Sequence, residues 1–164
     1  MRSRIALVLA AAASVAAFTA CGSDSTVTVA PAVTATYTST LNGANERPTA
    51  NASPATGTAT YTLAGDILSF TVTVNGLSGP ATASHIHVGS AAASGGVIVP
   101  FVTGSVASGN VTSGSIDLSK TISNGTSTIT GDSLKVLLNN GNAYTNIHTA
   151  QFGGGEIRGQ IIKQ

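Results

Sequence analysis

The chain is short of charge. Only 8% of its residues are Asp, Glu, Lys or Arg, and the formal net charge is +1. That excludes a strong electrostatic footprint for nucleic acid. There is a single cysteine, Cys21, so no intramolecular disulfide is available. Tryptophan is absent and aromatics make up 4%. The apolar run Ile5–Phe18 falls short of the roughly 18 residues that span a bilayer. No G-x-S-x-G elbow is present, and a lone cysteine offers no catalytic pair. Asp66, Asp117 and Asp132 fall in separate turns or caps, with no sign of a paired-carboxylate site. "GGGE" (Gly153–Glu156) lacks the Lys-Ser/Thr of a phosphate loop.

What remains has an address at its start. Arg2 and Arg4 precede the Ile5–Phe18 run, and small residues lead to Cys21. This is the layout of a secretory signal over residues 1–20. The junction "FTAC" resembles a bacterial lipobox, which makes Cys21 the expected lipid attachment site. Gly22 follows the cysteine, which in a Gram-negative host implies sorting to the outer membrane. Residues 21–35 are small and polar and read as a lipidated tether. The expected location is the cell envelope, and the expected partners are the membrane, through lipid, and an envelope or extracellular protein or matrix. Asn51, Asn110 and Asn124 open N-x-S/T triplets, which matter only in a eukaryotic secretory route.

Beyond residue 35 the chain is Thr, Val, Ile and Ser punctuated by glycine, which is strand and turn material. Ile67–Val74 alternates: Leu68, Phe70, Val72 and Val74 share one face, Ser69, Thr71 and Thr73 the other. Together with Thr58–Leu63 it predicts a hairpin turned by "AGD" (Ala64–Asp66). Further strands are expected at Thr36–Leu41, Ala83–Val88, Val97–Val102, Val111–Leu118, Ala143–Thr149 and Glu156–Ile162. Pro100 favours an edge position for Val97–Val102. "GDSLKVLLNNG" (Gly131–Gly141) predicts a short helix near 132–140, capped by Asp132 or Ser133 and ended by Gly141. The pattern is all-β: an antiparallel, Greek-key-like β-sandwich with one short helix.

Two of the three histidines sit in "ASHIHVG". On a strand, His85 and His87 point to one face and Ile86 to the other. Tyr144, Asn146 and His148 share a face in the later strand, as do Glu156, Arg158 and Gln160 in the last. Neighbouring strands would bring three imidazoles, a glutamate and an arginine together. Imidazole suits copper and zinc, so His85, His87 and His148 are candidate ligands for one copper or zinc ion. Glu46 and Glu156 are candidate orienters of the imidazoles, with Arg158 beside them. The alternative is a hydrogen-bonded structural network that needs no ligand.

Three stretches together resemble the CHRD (chordin) domain family: "LNGANERPTANASPATGTATYTL" (Leu41–Leu63), "ASHIHVGSAAASGGVIVPF" (Ala83–Phe101) and "LKVLLNNGNAYTNIHTAQFGGGEIRGQI" (Leu134–Ile161). The resemblance implies a β-sandwich over 36–163, found in extracellular animal proteins and exported bacterial ones, acting as a binding or structural module with no established activity. Arg47 stands where it leads one to expect an apolar residue. A His-x-His strand, a later histidine and an arginine near the C-terminus are also similar to copper/zinc superoxide dismutases. That similarity implies a mononuclear redox centre, with no histidine left to bridge a second metal and no disulfide to brace it.

Overall fold

The computed structural model describes residues 32–164. The signal segment, Cys21 and most of the expected tether lie outside the described residues. Alternating apolar residues build the strands: β1 (Val33–Asn42), β2 (Thr56–Ala64), β3 (Ile67–Asn75), β4 (Ala81–Val88), β5 (Val97–Pro100) and β6 (Gly109–Asp117). A small hairpin follows, β7 (Thr121–Ser123) and β8 (Thr128–Thr130), then helix α1 (Gly131–Asn139). The chain ends with β9 (Ala143–Thr149), β10 (Ile157–Gln160) and β11 (Ile162–Lys163).

All strand pairs are antiparallel. The large sheet runs β5-β4-β9-β10-β1-β2-β3-β6, with β11 also on β1. It curls so that its two halves pack inner face to inner face, the sandwich expected from the sequence. Tyr61 of β2 and Thr145 of β9 hydrogen-bond across the core at 2.8 Å, although two strands separate them in the sheet. The segment after β5 closes the curl. Phe101 N–H donates to Ser84 and Ala81 N–H to Val106 on the β4 side; Gly104 N–H donates to Val111 of β6.

The core follows the predicted faces. Leu68, Val72 and Val74 of β3 are buried, as are Ile86, Ile147, Ile157 and Ile161. Leu134 and Leu138 of α1 join them. The β2–β3 hairpin turns at Gly65–Asp66, and β5 is an edge strand as Pro100 requires.

Several expectations need correction. The helix is capped by Thr130, whose side chain accepts from Ser133 N–H, so it begins earlier than an Asp132 or Ser133 cap would place it. Strand β5 stops at Pro100 because the chain there leaves to close the curl. The last strand is two. Strand β10 lies between β9 and β1; at Ile161, whose N–H donates to Ala143, the chain leaves β9 and continues as β11 on β1 alone. The β7–β8 hairpin was not expected, since three-residue strands of Thr, Ser and Ile carry too little periodicity to read.

The hinge between the two halves lies where β10 meets β1. Ser39 Oγ donates to Gly159 O at 2.7 Å, and a Cβ on Gly159 would run into the Thr40 carbonyl. Only glycine allows this approach. Gly159→Ala is therefore expected to cost at least ~2 kcal/mol of stability. Gly79→Ala, where a Cβ meets open space, should change stability by less than ~0.5 kcal/mol. Urea denaturation of the two variants checks this, and equal midpoints would remove the hinge argument.

Candidate metal centre

Strand β4 pairs with β9 in the register His85↔Asn146 and His87↔Tyr144, with Ala83 opposite His148. Side chains at directly opposed and diagonal positions of one face are neighbours. The pairing thus gathers three imidazoles that lie far apart in sequence. Ring centroids are 5.4 Å apart for His85 and His87, 5.1 Å for His85 and His148, and 6.2 Å for His87 and His148. One ring nitrogen from each lies within 4.8 Å of the other two.

The hydrogen bonds fix which nitrogens these are. His87 Nδ1 lies 2.9 Å from Gly95 O, and His148 Nδ1 lies 3.0 Å from Gly153 O. A carbonyl only accepts, so both Nδ1 atoms carry the proton and both Nε2 atoms present a lone pair. His87 Nε2 is buried and has no partner among the described residues. His148 Nε2 accepts from His85 Nδ1–H at 3.3 Å, a bond that an ion between them would replace. Two nitrogens on one tetrahedral ion with bonds of ~2.0–2.1 Å are about 3.3–3.4 Å apart. One pair is already at that spacing.

Electrostatics keep the cluster neutral. Burial, then the charges of His148 and His87, push His85 down to about 4. Burial lowers His87 and His148 as well, against the raising effect of their carbonyl bonds. His87 stacks on Tyr144 (4.9 Å between centroids, 11° between planes), and the Arg158 guanidinium lies 3.4 Å from the Tyr144 ring centroid. Strands β10 and β4 flank β9, so the order is Arg158, Tyr144, His87. Tyr144 also holds the Gly95 loop, donating from its hydroxyl to Gly95 O and accepting from Gly95 N–H.

The expected orienters are elsewhere. Glu46 is buried and accepts from Asn146 Nδ2 at 3.3 Å; burial pushes its carboxyl up to about 7. Its Oε1 and Asn146 Oδ1 have no partner. Gly155 (φ +129°) presses against both side chains, and a Cβ there would lie 2.7 Å from Asn146 Oδ1 and 2.8 Å from Glu46 Oε1. Glu156 turns away from the imidazoles. It accepts from Ser53 Oγ (2.8 Å), Ser78 N–H (2.8 Å), Ser78 Oγ (2.7 Å) and Thr149 Oγ1 (2.6 Å). It binds two loops to the end of β9. Arg158 faces Tyr144 and donates to Ser90 O and Ala93 O instead of lining the cluster. The groups that orient the imidazoles are the backbone carbonyls of Gly95 and Gly153. A carbonyl has no residue signature; the only hint was a glycine-rich loop after each histidine strand.

The chain matches the CHRD domain family over residues 37–161, a span that takes in all three histidines, Glu46, Glu156 and Arg158. It belongs to that family. No curated protein and no solved structure matches it. In this CHRD domain the histidine motif and the closing motif are thus the two sides of one three-nitrogen cluster.

Burial raises the Glu156 carboxyl, but hydrogen bonds from Thr149, Ser78 and Ser53 outweigh it and hold the pKa below the usual carboxylate value. A depressed carboxylate adds stability above its unfolded pKa of ~4.5, lost as pH falls through the folded value. Glu156→Gln removes the charge and sets an amide N–H₂ among donors. It should cost ~2–3 kcal/mol at pH 7, and less at pH 3. Urea denaturation at both pH values checks this; a pH-independent cost contradicts it.

Proposed function

We propose that this CHRD domain is a binding module of the cell envelope whose ligand is one copper or zinc ion held by His85, His87 and His148. The observation that carries the reading is the pair of pinned tautomers. Gly95 O and Gly153 O take the Nδ1 protons, and the freed lone pairs turn toward His85. Metal-bound histidines characteristically donate their second N–H in this way. A buried, unpartnered His87 Nε2 costs free energy until something accepts its lone pair. Three neutral nitrogens suit copper or zinc, and His85 and His148 are only half-buried, which leaves a solvent side for a further ligand.

Binding, not turnover, is the primary reading. Glu156 is saturated by hydroxyl and backbone donors, and Arg158 lies behind Tyr144. Neither stands ready to move a proton or steer a substrate at the cluster. The open solvent side favours one second reading, a mononuclear redox centre. Its arginine is not where the dismutase similarity would put it.

The module reaches its place through residues 1–35: export, lipid on Cys21, and a short tether to the domain, in the outer membrane if the host is Gram-negative. Envelope or extracellular protein and matrix are the partners it would meet there.

Chelator-stripped full chain, with its thiol blocked, is expected to bind one copper or zinc ion per chain by calorimetry. His87→Ala and His148→Ala should each weaken binding by at least ~100-fold while circular dichroism stays that of the parent. Folded protein that takes up neither metal refutes the centre. Independently, mass spectrometry of the exported chain should find a lipid-modified Cys21 as the first residue. Cys21→Ser should move the protein out of the membrane fraction; an unmodified thiol there rules out the anchor.

A further inference from the structure

We propose that the cavity between Arg47 and Arg158 binds a small phosphate-type oxyanion. This cavity, about 90 Å³, is lined by Asn45, Arg47, Ala91, Arg158 and Gln160. The Tyr144 ring separates it from the histidines, because Arg158 covers one side of that ring and His87 the other.

The argument starts from donors without acceptors. Arg158 is 2% exposed, yet it donates from Nη2 alone, to Ser90 O and Ala93 O. Its Nε and Nη1 have no protein acceptor among the described residues. They are not among the sealed unpartnered atoms either, which are Glu46 Oε1, His87 Nε2, Asn146 Oδ1 and Gln160 Oε1. The little surface that Arg158 keeps therefore lies at donors open to the cavity. Arg47 donates from Nη1 to Ala44 O and Glu46 O, which leaves its Nε and Nη2 free. The amide nitrogens of Asn45 and Gln160 are committed to backbone carbonyls and form walls.

The charge is not compensated. The ion pairs among the described residues all join lysine to aspartate and involve neither arginine. The two guanidiniums are close enough that Arg47 helps lower the pKa of Arg158, after burial. One carboxylate faces them, Glu46, and burial holds it to about 7 despite both arginines. Two guanidiniums thus face a single carboxylate whose ionisation burial disfavours. A guanidinium with free N–H groups is the usual partner of phosphate oxygens, and a buried uncompensated charge is costly until an anion arrives. The cavity, about 90 Å³, is several times what a single water needs and admits a phosphate group. Arg47 is the residue at which this chain departs from the apolar one that its family resemblance leads one to expect.

Calorimetric titration of the metal-free full chain with inorganic phosphate is expected to show saturable one-to-one binding, weakened by added salt. Arg47→Gln, at a partly exposed site, should weaken it at least ~10-fold with an unchanged melting temperature, about the loss of one charge-assisted contact. Glu46→Gln, which removes the competing carboxylate, should tighten it. A glycerol phosphate arm tells the sources apart: equal binding assigns a monoester headgroup, and binding of inorganic phosphate alone assigns the free ion. Absence of saturable binding up to ~10 mM phosphate, a Kd corresponding to under about 3 kcal/mol, or Arg47→Gln binding as tightly as the parent, overturns the proposal.

Discussion

The antiparallel pairing of β4 with β9 is the constraint on which the rest depends. Its register, with His85 opposite Asn146 and His87 opposite Tyr144, is set by the core on the other side of the same two strands. Ile86 and Ile147 are fully buried, and side chains in a strand alternate with period two. A slip of one residue would push Ile86 out of the core and carry both histidines into it. The hydrophobic face thus fixes the position of the polar one. The site needs no interaction of its own to assemble, only strands whose apolar residues have a single good register.

That arrangement lets a chain with little charge bury a dense polar face. Arg158, Glu46, Asn146, His87 and Glu156 are all buried. Backbone carbonyls hold two of them, Ser90 O and Ala93 O under Arg158 and Gly95 O under His87; Glu156 is held by three hydroxyls and the Ser78 N–H, and Asn146 donates to Glu46. Loops are thereby drawn over the outer face of β4, β9 and β10. The glycine-rich loop 89–96 is held by four side chains, Arg158, His87, Tyr144 and Gln160. This is why the second layer around the histidines is made of peptide groups and an aromatic ring, with no carboxylate.

The legible part of the molecule was the part governed by side-chain alternation. Strands β2, β3, β4 and β9, the hairpin at Gly65–Asp66 and the shared face of His85 and His87 all follow from period two. The convergence of His148 with them required β9 to lie beside β4, which alternation permits but does not dictate. Glu156 shows where the method stops. Alternation put it on the face of Arg158, yet it stands just before β10 begins, where the strand geometry no longer applies. Its carboxylate turned instead to the hydroxyls of Ser53, Ser78 and Thr149. The β7–β8 hairpin and the Thr130 cap were missed for a related reason: both are set by local hydrogen bonds among small polar residues, which leave no periodic trace.

The same split separates the two clusters of the outer face by their physics. The histidine cluster is neutral: the protons of His87 and His148 are tied to carbonyls, and burial keeps all three rings uncharged. The cavity one aromatic ring away is lined by two arginines that make no ion pair among the described residues. Tyr144 stands between them with a guanidinium on one side and an imidazole on the other. A positive charge behind Tyr144 disfavours protonation of His87, and Arg158 is among the causes of its lowered pKa. The guanidinium therefore helps keep the nitrogen that a metal would need free of a proton, at the cost of repelling the metal itself. An anion beside Arg158 would reduce that repulsion. With both ligands bound as proposed, the charge on one side of the tyrosine would bear on the affinity of the cluster on the other.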